Sequence, residues 1–188
     1  SRGFKSATYN IVNIYLPPDF VKPEQVTAFE IGSKNTLLDG ALRLNGAIFQ
    51  TTVKDLQSVF VSLLAGGAVN FENAGEARSR GIEFDAVWAV MPETNPGLVL
   101  LGGATWLDAE YTSFKEASGF DETTGVFREN FDFTGNRTTR TPEFSANFGL
   151  SQTLEVSNGT VEIAADYYYN SGFYYTAQNT SINEEGAY

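Results

Sequence analysis

The chain has 188 residues, 42% of them hydrophobic and 14% aromatic, and a formal charge of −11. So acidic a chain, with only 12 Lys and Arg, excludes nucleic acid as a partner, because phosphate binding needs clustered cations. It has no Cys and no His, which removes thiolate nucleophiles, soft-ligand zinc sites, imidazole bases and His-centred triads. No catalytic, metal or cofactor-binding residue is therefore assigned, and a non-enzyme is expected.

With 15 Phe, 9 Tyr, 18 Gly and a single Met, the composition favours strands and tight turns and predicts an all-β protein. No stretch approaches the roughly 18 apolar residues of a spanning helix. A spanning β-strand is still open, since it needs only about ten residues of alternating polarity.

In chain order, Arg2-Gly3-Phe4-Lys5 reads as the end of a strand. The first full strand is predicted from about Val26 to Leu37, with Thr27, Phe29, Ile31 and Leu37 on one face and Glu24, Glu30 and Lys34 on the other. Leu38-Asp39-Gly40 follows as a short turn. A second strand, Ala41 to Val53, sets Leu42, Leu44, Gly46 and Ile48 against Arg43, Asn45 and Thr51, with Phe49 breaking the rule on the polar side. Lys54 to Asn73, with its apolar run Val59 to Leu64 and then Ala65-Gly66-Gly67, reads as a long loop or strand extension.

The third strand, Ala74 to Val90, opposes Ile82, Phe84, Ala86 and Trp88 to Gly81, Glu83 and Asp85, with Arg78 and Arg80 extending the same polar face as the acids. Met91 to Gly97, with two prolines, reads as a turn. Leu98 to Phe114 is a fourth strand, apolar on both sides at its start, with Val99, Leu101 and Leu107 assigned outward. Lys115 to Thr141 is a long polar segment of the kind that carries function or disorder. The fifth strand, Pro142 to Val156, sets Phe144, Ala146, Phe148 and Leu150 against Ser145, Asn147, Gly149 and Ser151, and Ser157-Asn158-Gly159 closes it as a hairpin. The sixth, Val161 to Tyr175, sets Val161, Ile163, Ala165, Tyr167 and Tyr169 against Glu162, Asp166 and Asn170.

Short turns thus alternate with long loops, and the strands are long. This is the organisation of a bacterial outer-membrane barrel, whose short turns lie at the periplasmic end and whose long loops lie outside the cell. Tyr167, Tyr169, Trp88 and Trp106 suit aromatic girdles at the lipid boundary.

Several motifs carry a resemblance. They are Lys22-Pro23-Glu24; Glu30-Ile31-Gly32-Ser33-Lys34; Asp39 to Phe49 with its Leu-x-Asn-x-Ala-x-Phe succession; Asn73-Ala74-Gly75 with Ser79 to Asp85; and Gly135-Asn136 with Thr141-Pro142-Glu143-Phe144. Together they resemble the C-terminal barrel of TonB-dependent receptors over nearly the whole chain. The resemblance implies an antiparallel up-and-down meander, residues 1–188 forming part of a 22-stranded transmembrane barrel of the outer membrane. It further implies active uptake of a scarce nutrient such as a siderophore-bound iron, cobalamin or a saccharide, with energy from TonB acting through a plug region that this chain does not contain. No TonB box and no terminal aromatic strand are recognised, so a fragment with open edges is expected. Outer-membrane lipid and a small-molecule nutrient are the expected partners; a passive porin or a secreted carbohydrate-binding β-sandwich are the alternatives.

Within this frame Glu83 and Asp85 read as solvated lumen charges rather than an acid–base pair. Asp121-Glu122-Thr123-Thr124-Gly125 lacks the alternating acids of a calcium loop, and the three Asn-x-Ser/Thr sequons are assigned no role. The candidate ligand-binding residues are Phe131, Asp132, Phe133, Arg137, Arg140, Tyr174 and Tyr175, where aromatic rings and charged groups share outer loops and would suit a saccharide or an aryl chelate.

Overall fold

Alternation says which side chains share a face, and backbone pairing then decides which strands are neighbours. The computed structural model of the chain describes residues 1–10, 18–63 and 66–188. In chain order the strands are β1 (Arg2–Lys5), β2 (Thr8–Asn10), β3 (Asp19–Val21), β4 (Glu24–Leu37), β5 (Leu42–Lys54), β6 (Gln57–Ser62), β7 (Ala68–Asn73), β8 (Glu76–Met91), β9 (Asn95–Ser113), β10 (Ala117–Phe120), β11 (Phe127–Phe131), β12 (Phe144–Val156), β13 (Gly159–Asn170), β14 (Phe173–Tyr174) and β15 (Glu184–Glu185). Seven of them form one meander in the order β1-β4-β5-β8-β9-β12-β13, every neighbouring pair antiparallel. The remaining strands pair two by two on the long connections. No α-helix occurs among the described residues, and the meander does not close on itself: β1 and β13 each have one neighbour. The all-β meander of long strands is as expected.

The two faces are continuous from strand to strand because the register keeps residues of like polarity opposite one another. Ile31, Ile48, Ile82, Trp106 and Phe144 form one cross-strand row on the apolar side. The row Lys34, Asn45, Asp85, Gly103, Asn147 and Tyr168 lies on the other. Phe144, Phe148, Ile82 and Phe84 thus oppose Glu83 and Ser145, as the alternation requires. Among the described residues nothing covers the apolar side: Ile31 is 74% exposed and Phe29 71%. Covering one such side chain is worth about 1.5–3 kcal/mol, so this face needs hydrocarbon against it. The sandwich alternative fails here, since among the described residues no second large sheet exists to pack on it.

Trp88 and Ile82, both on the apolar side, are six residues apart on β8, or about 20 Å at the ordinary strand rise. That spans the apolar band between a Trp88 level and a Trp106 level, with Phe84, Ala86, Gly102 and Ala104 between. At the short-turn end, Leu38, Asp39 and Gly40 all have positive φ, as the Asp-Gly reading requires. The last turn is centred one residue earlier than expected: Val156 pairs with Gly159 across Ser157-Asn158, and only the glycine has positive φ.

Four expectations are corrected. The turn predicted over Met91–Gly97 is only Pro92 to Thr94; Met91 pairs with Asn95, and Pro96 lies where the β8–β9 register shifts, so its missing N–H costs no ladder bond. On β9 the lipid-facing residues are Leu98, Leu100, Gly102, Ala104 and Trp106, not Val99, Leu101 and Leu107, because β8 and β12 bracket the strand and fix its phase. Leu101 lies instead against Gly149, filling the space of the absent side chain on the wet face. Arg78 and Arg80 share the face of Ile82, not that of Glu83 and Asp85; they pair with Glu110 and Asp108 just beyond the apolar band. The sixth strand ends at Asn170 and not at Tyr175, for the Asn170 carboxamide accepts the Gly172 N–H, Gly172 takes φ +89°, and the chain turns back.

The exception at Phe49 has a packing reason. A Cβ at Gly81 would lie 2.8 Å from the Phe49 ring, so the ring uses the room that glycine leaves on the wet face. The long segment 54–73 is a hairpin, β6 with β7, although Leu64 and Ala65 of its apolar run lie outside the described residues.

Candidate ligand-binding site

Among the described residues the six buried apolar side chains, Val21, Ala77, Ala109, Tyr111, Ala117 and Phe133, lie at the long-loop end. The chain's own core is therefore a crown above the wall. Short polar side chains build it by satisfying backbone groups of neighbouring loops. The Asn73 carboxamide accepts the Lys22 N–H at 2.8 Å and donates to the carbonyls of Lys22 and Asp55 at 3.1 and 2.8 Å. Gln57 donates to the carbonyls of Ser6 and Lys22 at 3.0 and 2.9 Å, and its own N–H is accepted by the Glu24 carboxylate. Gly75, at φ +130°, makes the close turn after Asn73 that brings β8 up beside Ser113.

On the other side, Asn136 donates to the carbonyls of Ala177 and Gln178 at 2.8 and 3.1 Å. Asn179 accepts the Arg137 N–H at 2.6 Å and returns a bond to the Arg137 carbonyl at 3.0 Å. Arg140 N–H reaches the Tyr174 carbonyl, and the Gln178 carboxamide pairs with the backbone of Phe120. Loops 114–143 and 171–188 are thereby one unit. Two of the sequon asparagines, Asn136 and Asn179, are thus clamps between loops.

This unit, which includes the β10–β11 hairpin, borders with the β6–β7 hairpin a half-open cavity of about 600 Å³. Tyr111, Phe114, Phe120, Phe127, Phe133 and Tyr175 supply its aromatic wall, and Glu72 and Glu116 its acids. Phe114 meets both Tyr111 and Phe133 edge-on, at ring separations of 4.9 and 5.6 Å, an arrangement worth about 0.5–1.5 kcal/mol per pair beyond area burial. Burial, and then the neighbouring Asp19, Glu116 and Glu129 carboxylates, push the Glu72 carboxyl above its ordinary value.

Of the seven sequence candidates, Phe133 and Tyr175 line this cavity. Phe131 stacks on Phe133 at 5.8 Å from behind. Asp132 is an exposed turn residue whose carboxylate accepts from Thr134, which holds it below the usual range. Arg137 is 3.5 Å from Glu143, and Arg140 lies over the Tyr175 ring, whose hydroxyl donates to Glu185 at 2.6 Å. Tyr174 is half-buried in the short β14–β15 pair. The reading of the residues missed Tyr111, Phe114, Phe120, Phe127, Glu72 and Glu116. Their clustering across three connections left no local signal beyond the aromatic content of the loops.

On the wet face of the sheet a second open trough, of about 690 Å³, includes Glu30, Lys34, Asn45, Glu83, Asp85 and Asn147. Asp85 accepts from Asn45 at 2.9 Å, a solvated wall contact as anticipated. Asp121 accepts from the backbone of Thr123 and Thr124 and the Thr124 hydroxyl, which makes it the organiser of the β10–β11 turn.

The family model described as "TonB dependent receptor-like, beta-barrel" matches residues 1–188. A curated relative, the probable TonB-dependent siderophore receptor PiuA of Acinetobacter baumannii, is 28% identical over 144 residues, 77% of this chain and 17% of that protein. The fold is similar to that of the ferric yersiniabactin uptake receptor FyuA of Yersinia pestis, at 20% identity and a TM-score of 0.73, covering all of this chain and 25% of that one. It is also similar to BauA, the ferric preacinetobactin receptor of Acinetobacter baumannii, at 21% identity and a TM-score of 0.67, covering all of this chain and 24% of that one. The chain thus spans between a sixth and a quarter of the proteins it matches.

Proposed function

The chain belongs to the TonB-dependent receptor-like β-barrel family of the bacterial outer membrane, and from that premise we propose that its parent receptor imports an iron–siderophore complex. In this reading residues 1–188 supply a stretch of barrel wall and the outer loops that first meet the ligand. The family is one of receptors and transporters, not enzymes; a passive porin shares the wall physics but lies outside the family.

The observation that carries the proposal is the crown: loops tied to one another by carboxamide–backbone bonds around an aromatic-walled cavity at the outer end of a lipid-facing sheet. A loop that only sealed a pore would need no such preformed hollow. Phe133 and Tyr175 are the proposed contacts; Phe131 stacks on the first and Arg140 lies over the second, while Asp132, Arg137 and Tyr174 belong to the same loops. Energy would come from TonB acting on a plug outside this segment, within a barrel of 22 strands.

The test is growth under iron starvation of a host lacking the receptor, fed a panel of iron chelates, with the full-length protein restored intact or as Phe133→Ala and Tyr175→Ala. Growth on one chelate class should depend on the intact receptor, and each variant should reduce uptake about tenfold, the loss of one good aromatic contact. Growth on every chelate irrespective of the receptor would refute the proposal.

A further inference from the structure

A cavity at the mouth of an importer selects by charge as well as by shape, because uncompensated charges on its wall attract or repel a charged ligand as it approaches. None of the described residues lining this cavity is Lys or Arg, while Glu72 and Glu116 both line it. The cations of the same loops face other groups: Lys115, which does not itself line the cavity, acts on the Asp132 carboxylate. Arg128 faces Asp121 at 3.8 Å, Arg137 faces Glu143, and Arg140 lies against the Tyr175 ring without itself lining the cavity.

We propose, resting on the siderophore reading above, that the cavity formed by Phe114, Phe120, Phe133 and Tyr175 with Glu72 and Glu116 takes a neutral or cationic chelate of the hydroxamate class and rejects the multiply anionic tris-catecholate class. The chemistry follows from the donor set. Ring faces carry negative quadrupole density and attract ammonium or amide-rich surfaces, and two carboxylates reinforce that preference. A ferric tris-hydroxamate is neutral, and a pendant amine makes it cationic. A ferric tris-catecholate carries three negative charges and would meet carboxylates without a neutralising Lys or Arg. The acids near Glu72, namely Asp19 and Glu129, extend the same field.

The experiment uses the full-length receptor in detergent and three iron chelates: a tris-hydroxamate with a free amine, a neutral tris-hydroxamate and a tris-catecholate. Binding is measured for the unaltered protein and for Glu72→Lys and Glu116→Lys, with Glu72→Gln and Glu116→Gln as isosteric partners that keep the fold. The amine-bearing chelate should bind at least about tenfold more tightly than the tris-catecholate. The glutamine forms should narrow that gap and the lysine forms close or invert it. Tighter binding of the tris-catecholate, or equal affinities that no variant alters, would overturn the charge selection while leaving siderophore uptake intact. Failure of the folded receptor to bind any of the three would overturn the uptake reading and this inference with it.

Discussion

The wall and the crown of this molecule are held by different forces. In the wall, six strands of 12 to 19 residues and the short β1 pair edge to edge, and apolar side chains such as Ile82, Phe84 and Phe148 stand about half exposed on the lipid side. In the crown, side chains bury one another, and Asn73, Asn136 and Asn179 bond to the backbone of loops far away in sequence. The wall therefore depends on the hydrocarbon it faces, and the crown on contacts internal to the protein. A change in one region should then leave the other largely untouched.

The sharpest break of that comparison is a charge on the lipid side of the wall. Ala104→Arg, midway along the apolar band of β9, should cost the full-length receptor about 2–4 kcal/mol, read from denaturant unfolding in lipid vesicles. Its neighbour Thr105→Arg faces the wet side and should be close to neutral. Equal costs at the two positions would show that the face assignment fails. A smaller effect, confined to the crown, is expected for Asn179→Ala. It strands the Arg137 backbone groups at a cost of about 1–3 kcal/mol, seen as faster protease cleavage within 114–143 while the global unfolding midpoint holds.

Smaller again is Arg80→Ala. Its pairing with Asp108 is half-exposed, so the loss should stay below about 1 kcal/mol and diminish further in high salt. The smallest effect is one of pH, with opposite signs within the crown. The Glu72 carboxyl is raised, so its favourable contribution is complete below its ordinary value of 4.5 and is lost as pH rises through the raised folded value. Asp121 and Asp132 are lowered, so theirs is present above the ordinary 3.8 and is lost as pH falls through the folded values. Acidification toward pH 4.5 should therefore raise amide protection, corrected for the intrinsic exchange rate, in β6–β7 and leave that of the Asp121 and Asp132 turns unchanged.

Much of the wall was legible in the residues because a half-wet, half-greasy strand must alternate, as Phe144 to Ser151 and Ile82 to Trp88 do. The reading faltered where alternation fell silent. Leu98-Val99-Leu100-Leu101 is apolar on both faces, and only the neighbours β8 and β12 settle its phase. Arg78 and Arg80 look like companions of Glu83 and Asp85 as long as polar residues are assumed to share a face, yet they belong to the lipid side beyond its apolar limit. Of the candidate site, Phe133 and Tyr175 were found through the aromatic and charged makeup of their loops. Glu72, Phe114 and Phe127 were not, since each is unremarkable among its own neighbours.

The order of residues fixes most of the wall, namely its long strands, its Asp-Gly turn and the two faces wherever polarity alternates, through local alternation and the positive φ that Asp39 and Gly40 accept, while β9 takes its phase from its neighbours. What only the tertiary structure decided is the crown, where residues separated by forty or more positions, such as Asn136 and Ala177 or Lys22 and Asn73, meet to border a cavity. Alternation is a property of one strand against its surroundings. A cavity belongs to several loops at once, and no single segment records it.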